Sequence, residues 1–405
     1  MSDVAAMPGT PAPPRFNMLP LVFETFACTL AMMSFVALIG PISRVLDLAP
    51  WQAGVTVTVG GIAWVLLARV WGAASDRHGR RVILLRGLGG FVLSYLALCL
   101  FVVLALRWLP PAWLAFAGVV VLRGIAGGFY AAVPTTGAAL VADHVEPQQR
   151  ARALAGLGAS SAVGMVVGPG LAGLLAVHGL ELPLIVTAVL PLVALLVMWR
   201  WLPRDERPQV QDAPPLRLRD ARLRRPLVLG FAAMFSVTIA QVAVGFFALD
   251  QLRLEATEAA RAAGIALTSV GVALILAQLL LRQLNWPPQR LIRVGGLISA
   301  LGFAAVIFAT SAPLLWAAYF VAAAGMGWVF PSVSALAANA VEAHEQGATA
   351  GTLAASHGVG MIVGPLAGTL VYELHPGAPF VLIAALLVLC VLWPERTPAA
   401  QEHAL

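Results

Sequence analysis

Gly164-Met165-Val166-Val167-Gly168-Pro169 recurs near the end of the chain as Gly360-Met361-Ile362-Val363-Gly364-Pro365. The flanking residues keep the register: Ala159-Ser160 stands opposite Ala355-Ser356, and Glu146 opposite Glu342. After a slip of one position, Pro134 stands opposite Pro331. Both copies sit in long apolar stretches, so the reading they force is a chain of two related halves, each built from the same series of apolar segments.

Composition says which solvent those segments meet. Of 405 residues, 60% are hydrophobic and 11% charged, more apolar surface than a water-soluble domain could hide in one core. Apolar stretches of roughly 20 residues recur from Met18 to Trp393, each long enough to cross about 30 Å of hydrocarbon as a helix. Ten-residue alternating segments, which a membrane barrel requires, do not run through the sequence. The expected fold is an all-α membrane protein with twelve transmembrane helices in two pseudo-symmetric six-helix bundles.

The first-half spans fall near Met18–Gly40, Gln52–Ala74, Val82–Leu106, Ala112–Thr136, Ala153–Val177 and Leu182–Leu202. Those of the second half fall near Pro226–Leu249, Gly264–Gln283, Leu291–Thr310, Pro313–Ala338, Ala348–Tyr372 and Phe380–Pro394. The expected organisation is a tail over residues 1–17, a bundle over 18–202, a polar linker over 203–225, a bundle over 226–394 and a tail over 395–405. The tail to Asn17 has no basic stretch leading into a short apolar segment and cleavage site, so the first helix is expected to stay in the protein.

All 25 basic residues are arginine and give a net charge of +6, yet they form no patch beside stacking aromatics of the kind nucleic acid would need. They lie in alternate loops, about nineteen on the side of the termini and linker against Arg44, Arg107, Arg253 and Arg261 on the other, which by the positive-inside rule places both termini in the cytoplasm. Cys28, Cys99 and Cys390 fall inside spans and lack the spacing of a metal site or disulfide framework. No metal or cofactor is expected, and the absence of a GxxxxGK[ST] loop argues against ATP as the energy source.

Gly72-Ala73-Ala74-Ser75-Asp76-Arg77-His78-Gly79-Arg80-Arg81 joins the second and third spans. Gly72 is expected to let two helices touch, Asp76 to pair with arginine across a helix end, Gly79 to make the tight turn, and Arg80 and Arg81 to anchor on anionic lipid heads. The stretch resembles the signature loop of the major facilitator superfamily, G-x-L-A-D-R-x-G-R-R, and the resemblance implies a latch that holds one face closed. Its second-half counterpart, Arg282 to Arg293, keeps the charge but not the Gly and Asp.

Two further motifs extend the resemblance over nearly the whole chain. Arg123-Gly124-Ile125-Ala126-Gly127-Gly128 is similar to the family's fourth-helix pattern R-x-x-Q-G, with Ala126 in place of Gln, and implies a role for Arg123 in proton transfer. Unpaired at mid-membrane, that arginine would cost roughly 2.5–3.5 kcal/mol, so it must face a cavity or partner, if only to staple helices. Gly164, Gly168, Pro169 and Gly173 fit the antiporter pattern G-x-x-x-G-P-x-x-G-G, with Ala172 at one Gly; small residues allow close helix contact and Pro169 removes a backbone bond. Within the family this motif marks exporters.

Glu24 is the only acid within the first span. A carboxyl there could take up and release a proton during a transport cycle, with Arg123 driving release; the alternative is a side chain that snorkels to the nearby interface. Thr25, Thr29, Gln241, Gln278 and His357 are candidate cavity residues, His357 standing where the first half has Ser161. Phe23, Phe26, Met32, Met33, Phe246, Phe247 and Trp328 read equally as core or cavity lining. The resemblance implies the drug and proton antiporter branch: a monomer in the bacterial inner membrane that exports a small molecule against protons by alternating access, with no partner beyond substrate, protons and lipid. Drug-like amphiphiles, an endogenous siderophore or secreted metabolite, import of a solute, and a non-transporting sensor are the readings in descending order.

Overall fold

The computed structural model describes residues 16–202, 220–281, 283–284, 286–342 and 345–393. The expected N-terminal tail to residue 15, the linker to residue 219, Arg282 and the C-terminal tail lie outside these residues. Thirteen α-helices follow in order: α1 (Leu19–Val45), α2 (Pro50–His78), α3 (Arg80–Trp108), α4 (Ala112–Tyr130), α5 (Ala132–His144), α6 (Pro147–Leu175) and α7 (Glu181–Trp201); then α8 (Arg224–Asp250), α9 (Ala256–Leu281), α10 (Pro288–Val306), α11 (Ala312–Asn339), α12 (Gln346–Tyr372) and α13 (Ala378–Leu392). Eleven segments are long and apolar enough to cross a membrane, with α4 and α5 counted together, and α13 is a shorter apolar helix. Together they make the twelve spans.

Local sequence sets the ends. α2, α6 and α10 each carry Pro within the first helical positions, where its missing N–H costs nothing. Gln52 reaches back to accept the Ala49 N–H at 2.8 Å and fixes the entry into α2. Gly79, at φ 91°, makes the turn into α3 that an L side chain would resist. The fourth span is interrupted at Ala131, because Pro134 has no N–H and crowds the carbonyl one turn back. Thr135 Oγ1 donates to the Ala131 carbonyl at 2.6 Å. In the second half Pro331 sits inside α11, which runs on without a break.

Two buried clusters organise the interior. One gathers Phe35, Phe91, Tyr95 and their neighbours, mostly from α1–α7; the other gathers Phe247, Tyr319 and Phe380, mostly from α8–α13. Large apolar side chains point outward around the bundle, Leu66, Leu196 and Phe308 among them, as a lipid-facing surface requires.

The halves meet by matched contacts about a pseudo-twofold axis. Gly40 of α1 lies so close to α8 that a Cβ would be 3.0 Å from Phe246 N, while Gly245 of α8 faces Pro41 of α1. Gly61 of α2 faces Ile362 of α12, and Gly271 of α9 faces Val166 of α6. Gly54 packs on Thr369 as Gly173 packs on Gly264. Gly40, Gly54, Gly173, Gly245 and Gly264 belong to the part of each helix remote from the Gly79 turn, with Gly61 and Gly271 near mid-helix. That remote end is the far face; the end carrying Gly79 and the arginine-rich loops is the basic face. Toward the basic face, Gly156 and Gly158 of α6 have open space where a Cβ would stand, and Val272, Ile275 and Leu279 of α9 are exposed. The cleft between the halves therefore widens toward the basic face.

Candidate functional site

α1 brings the two intramembrane charges of the first half into one region. Glu24 is wholly buried, and neither carboxylate oxygen has a hydrogen-bond partner; the adjacent Thr25 hydroxyl bears on it without a well-formed bond. It does not snorkel. Arg123 of α4 is buried too, with Nη1 3.2 Å from Met32 Sδ and the guanidinium 5.8 Å from the centroid of the Phe35 ring. Its Nε has no partner among the described residues. Gly60 of α2 makes room for this side chain, since a Cβ there would lie 3.1 Å from Nη1, and α2 and α4 touch where Gly127 meets the Gly60 carbonyl.

Tyr130, at the end of α4, begins a polar string in the same half. Its hydroxyl lies 3.1 Å from Thr29 Oγ1, which is 3.3 Å from Ser161 Oγ of α6. A carboxyl and a guanidinium, neither neutralised by an ion pair among the described residues, thus lie in one apolar bundle with this polar string and without a hydrogen bond to it. Such groups are costly to bury without function, and this arrangement can hold or release a proton while α1, α4 and α6 keep their packing.

Between the halves lies a cavity of about 410 Å³, lined from α1, α6, α8, α9, α10 and α11. Gln241 faces it; the remainder is mainly Val, Leu, Ala and Met, with Tyr319 and Phe330 at the α11 wall. A smaller cavity of about 210 Å³ nearer the basic face is lined by His357, Ser334 and Thr349. There His357 stands edge-on to Phe330 at 5.8 Å, and its Nε2 has no partner among the described residues.

The far face is fastened by polar contacts as well as by glycines. Arg44 of α1 donates to Asp250 Oδ1 of α8 at 2.5 Å, and Tyr372 of α12 donates to Asp250 Oδ2 at 2.8 Å.

The sequence profile of the Major Facilitator Superfamily matches residues 21–285 and 227–404. The chain belongs to the Major Facilitator Superfamily. It is a multi-pass membrane transporter of a small molecule and not an enzyme. Among curated relatives, the class C tetracycline resistance protein of Escherichia coli is 29% identical over 361 residues, covering 84% of this chain and 85% of its own. Multidrug resistance protein 2 of Bacillus subtilis (strain 168) is 22% identical over 395 residues, with 93% and 94% covered. Among solved structures, a bacterial homologue of the human lysosomal transporter Spinster, in an inward-facing and occupied conformation, superposes with a TM-score of 0.72 at 15% identity, over 92% of this chain and 94% of that one.

Several site residues of this superfamily member sit differently from their sequence-based expectation. Gly72 makes no helix contact, since a Cβ there would meet nothing within 4 Å; α2 closes on its neighbours at Gly54 and Gly60 instead. Arg80 does not reach for lipid: it is buried, paired with Asp76 one turn away and with Asp143 of α5 at 2.8 Å, and bonded to Ser75. Arg81 donates to the Leu202 and Trp199 carbonyls at 2.8 and 2.9 Å, capping the end of α7. These bonds brace helices of the first half to one another. Arg77 is exposed.

Of the proposed cavity residues, Gln241 lines the larger cavity and His357 the smaller. Thr29 is instead consumed by hydrogen bonds inside the first half, Thr25 lies beside Glu24, and Gln278 is exposed on α9 outside both cavities. Gly164 and Gly168 pack against the α1 backbone at Phe26 and Leu30, and Gly173 against Gly264. Pro169 lies inside the unbroken α6 and lines the larger cavity. Met33 faces that cavity as well, whereas Phe246 and Phe247 are core. Sequence reasoning missed Tyr130, Ser161, Asp143 and the Arg44–Asp250–Tyr372 cluster as a unit. Tyr130 was findable, seven residues along the helix from Arg123 and hence on the same side.

Proposed function

We propose that this superfamily member exports small amphiphilic molecules from the cytoplasm by proton antiport, as a monomer in the bacterial inner membrane. The observation that carries the reading is Glu24, a fully buried carboxylate with no hydrogen-bond partner for either oxygen among the described residues, in the same six-helix half as the buried Arg123. A proton on Glu24 removes a charge from the bundle, and Arg123 favours its departure. The excess of arginine on the basic face supports placing that face, and both termini, in the cytoplasm. With the far face closed by Gly40, Gly245 and the Asp250 cluster, this conformation would load from the cytoplasm. Opening the far face while the basic face closes would release cargo outward, the exchange of access that repeated halves permit. The relatives named for tetracycline and multidrug resistance support drug export, and the proton gradient is the proposed energy source, with no cofactor.

The test is reconstitution in liposomes that hold a pH-sensitive dye, with a proton gradient imposed and a panel of drugs and siderophores offered. Cargo-dependent proton flux that disappears in Glu24→Gln and Arg123→Ala is the expected result. Flux that persists in Glu24→Gln would remove the proton assignment. Cargo movement without proton flux would leave a facilitator.

A further inference from the structure

From the larger cavity we infer the class of cargo: an uncharged, lipophilic molecule, held by dispersion on a methionine-rich wall and oriented by one hydrogen-bonding pair with the Gln241 amide. This deepens the export reading and rests on it for its physiological sense.

The cavity holds about 410 Å³, room for a drug-sized ligand by the usual range of such sites. No Asp, Glu, Lys, Arg or His lines it among the described residues. Two side chains there can form strong hydrogen bonds, Tyr319 and Gln241. Tyr319 is already committed, its hydroxyl donating to the Ala240 carbonyl at 2.8 Å. Gln241 has no bond to another protein group among the described residues and projects from α8 into the space. One amide offers both a donor and an acceptor, so it suits a carbonyl, ether, hydroxyl or amide on the cargo and gives a bare ion little compensation.

A permanent cation or a highly ionised molecule would leave water for a wall with nothing to pair it, and that penalty is large in a low-dielectric site. The first-half charges do not relieve it, because Glu24 and Arg123 are buried behind α1 and neither lines the cavity. Met33, Met165, Met234 and Met326 make the wall adaptable. Thioether side chains refill irregular gaps at small cost, which suits several lipophilic shapes and no single one.

Binding is measured in detergent, without a gradient, by ligand-induced thermal stabilisation and Trp fluorescence of the full chain. The ligands are chloramphenicol (neutral), tetraphenylphosphonium (a permanent cation) and tetracycline (polar and ionisable). Chloramphenicol is expected to bind about tenfold or more tighter than the other two, the discrimination a charge penalty in an apolar pocket implies. Gln241→Leu should lose most of that affinity, and Gln241→Glu should raise tetraphenylphosphonium affinity about tenfold by supplying the missing counter-charge. Equal or tighter binding of tetraphenylphosphonium or tetracycline by the wild type overturns the inference. So does an unchanged ranking in both Gln241 variants that still fold, or no binding of chloramphenicol. Export is read separately by the liposome assay, so the expected binding pattern without proton-coupled flux would refute antiport and leave the cargo class standing.

Discussion

α1 against α6 in the first half and α8 against α12 in the second are the same joint made twice. Ser160 donates to the Val22 carbonyl at 2.5 Å and Ser356 to the Leu227 carbonyl at 2.6 Å. Gly164 presses on the backbone of Phe26 and Leu30, as Gly360 presses on Phe231 and Phe235. Along this shared register Glu24 falls opposite Leu229, Thr25 opposite Gly230, and Ser161 opposite His357. The backbone geometry is common property of the halves, whereas the buried Glu24 and Arg123 belong to the first alone. The second half contributes most of the apolar cavity wall. Symmetry thus supplies the packing inside each half, and departures from symmetry supply its buried charges.

The largest expected effect tests that division directly. Glu24→Gln should reduce cargo-coupled proton flux to background while leaving ligand binding intact, whereas Leu229→Met, the same register position in the second half, should leave flux unchanged. Equal losses from both would mean that the acid matters only as packing.

Next come the glycines of the joint. A Cβ at Gly168 would meet the Leu30 carbonyl at 2.6 Å, a backbone atom; at Gly364 the first obstacle is a side-chain atom, the Thr238 hydroxyl at 2.2 Å, and the nearest backbone atom is the Phe235 carbonyl at 3.0 Å. Gly168→Ala should therefore cost about 1–3 kcal/mol, the usual overpacking range, and Gly364→Ala less. Thermal unfolding in detergent orders the two, and the reverse order would show that the first-half joint yields more readily than its contacts suggest.

Ser160→Ala and Ser356→Ala should cost nearly the same, about 1 kcal/mol each for one hydrogen bond, and unequal losses would argue against equivalent joints. The smallest effect belongs to the far face. Arg44 and Asp250 are both partly exposed, with side chains 49% and 24% accessible, so Arg44→Ala should shift the balance toward an open far face by only about 0.5 kcal/mol. Distance measurements between labels on the far-face ends of α1 and α8 would register that shift, and high salt should diminish it.

Much of the architecture was legible beforehand, because length and apolarity fix a span in lipid and because the Gly164–Pro169 repeat carried its register into both halves. The site was only partly so. Glu24 and Arg123 stand out since a charge inside a span is rare, but the pairing of Arg80 does not, because its partner Asp143 lies near the end of α5, which local pattern does not bring near. Gly72 was misread because a glycine that admits a neighbour and one with open space around it look identical in sequence. Met33 and Met165 line the cavity and Leu30 and Phe35 the core; nothing in residue type separates those fates, which depend on how α1 and α6 are rotated about their axes.

Gly40 and Gly245 touch across the axis that relates the halves, each lying where the other would fall after half a rotation. A position that meets its own counterpart is what a two-fold dimer of identical subunits possesses, since a patch on such an axis must be complementary to itself. A single six-helix unit bearing that glycine could therefore have docked against a second copy of itself in this pose before any linker joined them. With both halves in one chain, an acid on one side imposes none on the other.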